Sequence, residues 1–311
     1  MKGTRLVRCK VQSIFPNMKH DRPDLSVIMP AHNESGTIGN LLDASLELAR
    51  IHNWEIIVVD DGSTDDTAEL VQQRVDGRCL KLITHKQNRG YGGALKSGIR
   101  ASSASRIATM DSDGQHDPND LVRLLPLLEE YDLVVGIRTS LIHSRPSRMP
   151  GKWILKWLAD YLSGQKIPDL NSGLRIFRTD VINKYLHLCP DGFSFSTTTT
   201  LVFLNRGYAV AYEPITIHPR AKGSKSTVRL STGFATVILI LRIMSLFQPL
   251  RIYIPASVIL GIAGVLWGLP YIILQRGVSV GALLLIITSI LLFFFGLLTD
   301  QVAQSRLEKY E

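Results

Sequence analysis

The chain has 311 residues, of which 45% are hydrophobic and 20% charged, so it can bury a sizeable core and is not a globally disordered protein. Its formal charge of +8 and isoelectric point near 9.4 favour an anionic partner, which is a nucleic acid, a phospholipid or a phosphorylated substrate. Three scattered cysteines without metal-ligand spacing argue against a disulfide framework and are typical of a reducing compartment.

The first part of the chain predicts an α/β domain. Residues 1–24 form a basic extension without the apolar core and cleavage site of a signal peptide. Over residues 25–230, short runs rich in Val and Ile alternate with helical patterns. The predicted strands are 25–30, 55–60, 79–84, 106–110 and 132–136. Their alternation with helices predicts a mainly parallel, Rossmann-like sheet covered on both faces.

Polar motifs follow three of these strands. The segments are PAHNES after the first strand, DDGSTDDT after the second and DSDGQHDP after the fourth. In parallel sheets ligands bind beyond the carboxyl ends of the strands. Carboxylates gathered at that edge repel one another unless a cation or a donor-rich ligand lies between them. The sequence therefore predicts a ligand site at this edge.

The third motif has the composition of a metal site. Asp111 and Asp113 are two positions apart, so in an extended chain both point to one hard divalent cation such as Mg²⁺ or Mn²⁺, with Gln115 as a neutral oxygen ligand. The alternative is that a carboxylate of this motif only caps the following helix, and Asp117 is the best placed to do so. His116 either approaches a phosphate group or is a hydrogen-bonding surface residue.

Five segments together resemble a known family. In chain order they are VIMPAHNE, VVDDGSTDDT, NRGYGGALKSGI, MDSDGQHDP and NSGLRIFRTD. In this order and at these separations they resemble the family 2 glycosyltransferases, in particular the polyprenyl-phosphate branch that includes dolichol-phosphate mannosyltransferase. The resemblance covers roughly residues 25–230. It implies a GT-A fold, a nucleotide-sugar donor, a divalent cation and inversion at the anomeric carbon.

The resemblance also implies roles for residues at matching positions. The residues implied to line the nucleotide-sugar are Pro30, Asn33, Glu34, Asp61, Gly90, Gly92 and Asp111. Those implied to hold the metal on the diphosphate are Asp111, Asp113 and Gln115. The glycines of NRGYGG lack the spacing of a dinucleotide fingerprint, so we expect them to let the loop approach the donor closely.

A lipid phosphate acceptor would need cations more than a base. Its oxygen is already ionised near neutral pH, whereas two phosphate groups held side by side repel each other, and Arg side chains bind such groups in a two-pronged geometry. Arg138 and Arg175 are candidates. Within the basic run 218–229, Arg220 and Lys225 occupy positions where relatives carry basic residues, although this run is also typical of a solvated or lipid-facing basic patch.

The acceptor side has one acid left to consider. Residues 192–201, GFSFSTTTTL, carry Ser and Thr where many relatives carry a glutamate. Asp169, in PDLNSGLR, is then the acid nearest the expected acceptor. It is either a general base for a hydroxyl acceptor or a structural ligand of the NSG turn.

The carboxyl-terminal part predicts membrane association. Residues 231–251 are apolar but interrupted by Arg242, which favours an amphipathic juxtamembrane helix. Residues 252–300 contain two uncharged stretches, each long enough to cross a bilayer, and a tail, 301–311, follows. Basic residues flank the outer ends of this hairpin, whereas its turn has only Arg276. The positive-inside rule then places the catalytic domain in the cytoplasm, at the cell membrane of a prokaryote or the endoplasmic reticulum of a eukaryote.

These observations give one leading hypothesis. The chain is expected to be an integral membrane, metal-dependent, inverting glycosyltransferase that moves one sugar from a UDP- or GDP-sugar to a polyprenyl phosphate. Its expected partners are the donor, the lipid acceptor and the membrane, with no nucleic acid, and a homo-oligomer is compatible with the sequence. The alternatives are a transferase of the same fold that acts on a lipid or glycan hydroxyl, with Asp169 as base, and a noncatalytic membrane scaffold that retains the fold.

Overall fold

The computed structural model describes residues 22–138, 160–161, 164–192, 194–219, 245 and 248–307. Most of the predicted basic extension and of the juxtamembrane segment lies outside the described residues, as do Arg220 and Lys225. The elements in chain order are β1 (Leu25–Ala31), α1 (Ile38–His52), β2 (Trp54–Asp60), α2 (Thr67–Gln72), β3 (Leu80–Thr84), α3 (Tyr91–Ala101), β4 (Arg106–Thr109), α4 (Asn119–Leu124), β5 (Leu133–Arg138), β6 (Arg175–Arg178), α5 (Thr179–Tyr185), α6 (Phe195–Asn205), β7 (Val210–Ile215), α7 (Leu250–Ile273) and α8 (Val280–Leu307).

The strands form one mixed sheet in the order β3-β2-β1-β4-β6-β5-β7. The pairs β1/β2, β2/β3, β1/β4 and β5/β7 are parallel, and β6 is antiparallel to both of its neighbours. The predicted mainly parallel sheet is confirmed, but the sequence did not predict β6 or β7. β6 has only four residues, and β7 contains Glu213 and Pro214, which are tolerated because β7 lies at the edge of the sheet.

Helices cover both faces of this sheet. Every residue of β1 and β2 is buried, which explains their nearly continuous apolar sequence. Val27 and Met29 on β1 lie in one apolar cluster with residues of α1 and α4, whereas Ile28 lies in a second cluster with residues of α3, α5 and α6. Because β1 is parallel to both β2 and β4, these three strands end at the same edge of the sheet, where the polar motifs meet.

The two carboxyl-terminal helices form an apolar hairpin. Each is long and apolar enough to cross a membrane, and large side chains such as Trp267 and Phe294 are 58% and 56% exposed. The contact between the helices uses small residues, because Gly264 and Gly268 of α7 and Ala282 of α8 are buried there. α8 continues to Leu307, so the first residues of the predicted tail belong to the helix.

A buried carboxylate joins the opposite, amino-terminal ends of the strands. Glu55 on β2 accepts hydrogen bonds from Ser26 Oγ and from the backbone N–H and Oγ of Ser103, and it forms a 2.6 Å ion pair with Lys81. Burial by itself would raise the pKa of Glu55, but the hydrogen bonds from Lys81, Ser26 and Ser103 outweigh it, and the pKa lies below its ordinary value.

Replacing Glu55 by Ala should lower the free energy of unfolding by about 3 kcal/mol, because it leaves several buried donors without an acceptor. The stabilisation is full above the ordinary pKa of a glutamate and is lost as the pH falls through the lowered pKa of the folded state. Thermal unfolding of the detergent-solubilised chain at several pH values measures both effects. Glu47→Ala, at an exposed site on α1, is the matched control, and equal melting of the two variants would contradict the prediction.

Replacing Gly264 by Leu should push the two hairpin helices apart, because even a Cβ at Gly264 would lie 2.8 Å from Ile286 Cγ1. Disulfide formation in the double variant Gly261→Cys/Ser289→Cys measures the helix contact, since a Cβ at Gly261 would lie 3.6 Å from the Cβ of Ser289, within the range for disulfides. We expect the pair to oxidise readily in the otherwise unchanged chain and to fail in the Gly264→Leu background.

Gly281→Leu is the matched control for the hairpin. Gly281 is exposed on α8, and a Cβ there would meet only Ser279 Oγ, at 3.8 Å. Equal disulfide yields in the Gly264→Leu and Gly281→Leu backgrounds would show that the helices do not pack through Gly264.

Candidate active site

The loops after β1 and β2 are joined into one surface. The backbone N–H of Asn33 donates to Ser63 Oγ (3.0 Å), and Asn33 Oδ1 accepts from the backbone N–H of Thr64 (2.8 Å). The backbone N–H of Glu34 donates to Thr67 Oγ1 (2.9 Å). Asn33 has a positive φ of 56°, a conformation that Asn tolerates better than most residues. Asn33 and Glu34, both predicted to line the nucleotide, therefore lie in a loop of fixed shape.

The acidic motif after β4 adjoins these loops. Ser112 Oγ donates to the carbonyl oxygen of Pro30 (2.8 Å), and Thr37 Oγ1 donates to the carbonyl oxygen of Ser112 (2.9 Å). Asp113 is buried, and its Oδ1 accepts from the backbone N–H of Gln115 (3.1 Å). The structure thus brings the predicted metal-binding residues next to the predicted nucleotide-lining residues.

Asp117 has the capping role that the sequence allowed. Its Oδ1 accepts from the backbone N–H of Asn119 at the start of α4 (2.9 Å). It faces His218, at 3.9 Å. Asp117 thus contacts the helix that follows the motif, as one sequence alternative expected.

Asp61 connects the end of β2 to the glycine loop. It is buried, and its carboxylate accepts from the backbone N–H groups of Arg89 and Gly90, both at 2.8 Å. His85 Nδ1 lies 2.7 Å from Asp61 Oδ1, and the other ring nitrogen lies 2.9 Å from Ser97 Oγ. The nucleotide-lining role of Asp61 stays a prediction, since these contacts give it a loop-positioning role. The sequence analysis did not identify His85, whose only signal was its place directly after β3.

The glycines of the NRGYGG motif pack against a neighbouring loop. Gly90 has a φ of +87°, and a Cβ there would lie 2.6 Å from the carbonyl oxygen of Asp191. A Cβ at Gly92 would overlap the carbonyl oxygen of Pro190 and lie 2.9 Å from that of Gly192. The close approach expected at these glycines is therefore made to residues 190–192. Their predicted approach to a donor remains a prediction.

The Asp111 carboxylate contacts three residues. Tyr91 OH donates to Oδ1 (2.8 Å), and His116 Nε2 lies 3.5 Å from Oδ2. A Cβ at Gly173 would overlap the carboxylate itself. Burial raises the pKa of Asp111, but the hydrogen bonds and charge of His116 and the hydrogen bond from Tyr91 lower it more, so the pKa lies below its ordinary value. Asp111 is held as a carboxylate in one orientation.

His116 differs from one of the two sequence expectations. It is 5% exposed and is not a surface residue, and its Nδ1 has no hydrogen-bond partner among the described residues.

Neither Tyr91 nor Gly173 was a sequence candidate. Tyr91 lies within a quoted motif, and Gly173 lies in the NSG turn, but no local pattern shows that either contacts Asp111.

The residues at this edge fit a hard divalent cation. Asp111 and Asp113 supply charged oxygen atoms, and Gln115 supplies an amide oxygen. Among the described residues there is no cluster of three or more His, Cys, Asp or Glu side chains arranged for a metal. Two carboxylates and one amide do not fill the roughly six positions around such a cation, so positions would remain for other oxygen ligands, as expected when an ion also binds phosphate.

Arg138 and Asp169 form an ion pair beside the acidic motif. Arg138 Nε donates to Asp169 Oδ2 (2.9 Å), and Arg138 Nη2 donates to Asp169 Oδ1 (3.2 Å). The positive charge of Arg138 also interacts with the carboxylates of Asp111 and Asp113. Burial by itself would raise the pKa of Asp169. The hydrogen bond and charge of Arg138 and the backbone N–H of Asn171 outweigh this effect, so the pKa lies below its ordinary value. The structure places both residues in the site, and Asp169 contacts the NSG turn.

Arg175 is committed to interior contacts. It is fully buried, and its guanidinium donates to the carbonyl oxygens of Ser172 (2.8 Å) and Leu170 (3.0 Å) and to Thr200 Oγ1 (2.7 Å) and Thr199 Oγ1 (3.3 Å). Burial holds its pKa below its ordinary value. These contacts do not support the predicted phosphate-binding role. Thr199 and Thr200 in the threonine run of α6 thus serve as hydroxyl acceptors for this arginine.

Two family models match the chain. The model described as "Glycosyl transferase family 2" matches residues 26–186, and the model described as "GtrB C-terminal hairpin" matches residues 248–305. The first covers the domain that carries the site, and the second covers α7, the turn and most of α8. The resemblance stated from the motifs is confirmed, and so is the two-helix hairpin.

Several relatives are similar over the same region. A dodecaprenyl-phosphate galacturonate synthase of Rhizobium johnstonii is 34% identical over 52% of this chain and 49% of its own length. An uncharacterized protein of Methanocaldococcus jannaschii is 30% identical over 69% of this chain and 89% of its own. An undecaprenyl-phosphate 4-deoxy-4-formamido-L-arabinose transferase of Pseudomonas savastanoi is 28% identical over 57% of each chain. The chain thus spans about half the length of two of these relatives.

Solved structures support the fold. Glucosyl-3-phosphoglycerate synthase from Mycobacterium tuberculosis, in complex with Mn²⁺, uridine diphosphate and glucosyl-3-phosphoglycerate, superposes with a TM-score of 0.55 at 22% identity. The superposition covers 73% of this chain and 81% of that one. A complex of the same enzyme with Mg²⁺ and uridine diphosphate gives the same TM-score at 21% identity. The predicted GT-A fold is confirmed by this likeness.

Replacing Arg175 by Lys should lower the free energy of unfolding by about 3 kcal/mol, because one ammonium group cannot reach acceptors on two elements as the guanidinium does. Arg178→Lys, on the same strand but half exposed, is the matched control and should change it by less than about 0.5 kcal/mol. Thermal unfolding of the full chain in detergent measures the difference. A normal melting temperature for Arg175→Lys would return Arg175 to the phosphate-binding candidates.

Proposed function

The chain belongs to glycosyl transferase family 2, and on this premise we propose that it transfers a single sugar from a UDP- or GDP-sugar to a polyprenyl phosphate at the cytoplasmic face of a membrane. One observation carries the proposal. The carboxylates of Asp111 and Asp113 follow β4, and Arg138 ends β5, which runs parallel to β4 because both are antiparallel to β6, so these charges lie at one edge of the sheet. Such an edge would provide for a metal-bound donor and an anionic acceptor in one place. Two relatives are named for dodecaprenyl and undecaprenyl phosphate, which supports a lipid phosphate as acceptor.

The donor side needs stabilisation of a leaving diphosphate. Asp111 and Asp113, with Gln115, would hold a divalent cation, which when bound neutralises negative charge that develops on the diphosphate. The Mn²⁺ and Mg²⁺ complexes of the similar solved enzyme support this assignment. Asn33 and Glu34, fixed by contacts between the loops after β1 and β2, would line the nucleotide.

The acceptor side needs a held phosphate rather than a base. A phosphate oxygen attacks the anomeric carbon while the bond from that carbon to the donor diphosphate breaks and the diphosphate leaves with the electron pair. One such displacement inverts the anomeric configuration. Arg138 lies beside the acidic motif and would hold the acceptor phosphate there, and Asp169 orients its guanidinium through two contacts.

The hairpin supports an acceptor in the membrane. α7 and α8 expose large apolar side chains, and a Cβ at Gly164 would lie 2.9 Å from the guanidinium of Arg251 at the start of α7. The segment leading to Asp169 is therefore close to the hairpin. Basic residues at the outer ends of the hairpin favour a cytoplasmic catalytic domain.

A second candidate is transfer to a hydroxyl group, with Asp169 as base. The place of Asp169 in the site favours transfer to a hydroxyl group. Arg138 lowers the pKa of Asp169, however, and this makes Asp169 a weaker base. A noncatalytic scaffold is disfavoured, since it would have no need to keep the carboxylates of Asp111 and Asp113 together beside Arg138.

The test is transfer of radiolabelled sugar to organic-extractable lipid by the purified full chain. Each reaction contains Mg²⁺ or Mn²⁺, one of a panel of UDP- and GDP-sugars, and either a short polyprenyl phosphate or the matching polyprenol. We expect label from one donor, dependent on metal, and only with the phosphate. Asp113→Asn should lower the rate by roughly 100-fold or more, because it removes a metal-binding charge at constant volume.

Asp117→Asn is the matched control, since it makes the same change in the same motif and Asn also caps helices. Its rate should stay within about twofold of the unchanged chain, as expected for a surface cap. Label on the polyprenol would favour the hydroxyl acceptor, and Asp169→Asn should then abolish it. Normal transfer by Asp113→Asn would overturn the metal assignment.

A further inference from the structure

Gly90, the N-cap of α3, and Tyr91, its first residue, contact two different strand-end carboxylates. The backbone N–H of Gly90 donates to Asp61 Oδ2 (2.8 Å), and the side chain of the next residue, Tyr91, donates to Asp111 Oδ1 (2.8 Å). Asp61 follows β2, and Asp111 follows β4. The start of α3 therefore bridges the loop expected to line the nucleotide and the motif expected to hold the metal.

The backbone around Tyr91 has little freedom to move. The backbone N–H of Gly93 donates to the carbonyl oxygen of Asp191 (3.0 Å), and Gly90 and Gly92 pack so closely on residues 190–192 that neither position has room for a Cβ. The backbone on both sides of Tyr91 is therefore fixed, and this fixes the position of its ring. The hydroxyl group is positioned to donate to Asp111.

The phenol of Tyr91 lies close to α6 as well as to Asp111. Ser196 on α6 supplies a second hydrogen bond to the phenol oxygen. The phenol is held between α6 and the acidic motif.

We propose that Tyr91 is a positioning residue that fixes the Asp111 carboxylate for the divalent cation. A carboxylate without such contacts rotates about its Cβ–Cγ bond, and a cation must then select one orientation. Here Tyr91 donates to Oδ1, His116 lies beside Oδ2, and the carboxylate packs so closely on Gly173 that a Cβ there would overlap it. The inference rests on the proposed function only in taking Asp111 as a metal-binding residue.

Loss of the phenol hydroxyl should weaken metal binding without removing a ligand. Partners that orient a metal-binding side chain typically contribute about 10- to 100-fold to metal affinity. Tyr91→Phe should raise the dissociation constant for Mn²⁺ by about tenfold, measured by electron paramagnetic resonance on the full chain with UDP or GDP present. In the transfer assay it should raise the half-activating Mn²⁺ concentration similarly, while turnover at saturating Mn²⁺ recovers to within about threefold, since no ligand is lost.

Tyr185→Phe is the matched control. Among the described residues the Tyr185 hydroxyl has one polar contact, to Tyr208 OH at 3.5 Å, so its loss should leave the Mn²⁺ dissociation constant unchanged. Gly173→Ala is an independent variant, because its Cβ would displace the same carboxylate, and it should also weaken Mn²⁺ binding. It keeps the proposal testable if Tyr91→Phe fails to fold.

The outcomes separate this inference from the proposed function. An unchanged Mn²⁺ dissociation constant in folded Tyr91→Phe, with Asp111→Asn losing the ion, would overturn the positioning role whatever Gly173→Ala does. Weakened Mn²⁺ binding in the variants would support it even if no sugar reached a polyprenyl phosphate. Asp111→Asn with normal Mn²⁺ binding would remove the metal assignment and the inference together.

Discussion

The site depends on how negative charge is accommodated at the carboxyl edge of the sheet. Parallel strands end at one edge, so the carboxylates that follow them are brought together and repel one another. Each is compensated separately: Asp61 by His85 and two loop N–H groups, Asp111 by Tyr91 and His116, and Asp169 by Arg138. This arrangement leaves the edge acidic enough for a cation while keeping every acid in a defined place.

These contacts divide the charged residues into two groups. Arg138 is partly exposed and interacts with the acidic motif, so it can meet a ligand. Arg175 has no such access, because carbonyl oxygens and threonine hydroxyls surround its guanidinium. It stabilises the turn that contains Gly173, and this turn in turn packs on Asp111. The buried Arg175 thus stabilises the position of the acidic motif through this turn.

The glycine loop has a comparable supporting role. Its glycines allow backbone contact with residues 190–192, and this contact anchors the start of α3. From there Gly90 reaches Asp61 and Tyr91 reaches Asp111. The loops expected to hold nucleotide and metal are therefore mechanically joined, and the same segment lies close to the threonine-rich helix α6 through Ser196.

Those parts of this protein that local patterns encode could be predicted from the sequence. Apolar runs followed by turns gave the first five strands, the length of two uncharged segments gave the hairpin, and the spacing of Asp111 and Asp113 gave the acidic motif. Only the tertiary structure decided which side chains meet. Tyr91 contacts Asp111 across 20 positions and Arg175 contacts Thr200 across 25, and no periodicity records such pairs. The edge strand β7 was missed for a related reason, since its place at the edge, not its composition, makes Glu213 and Pro214 acceptable.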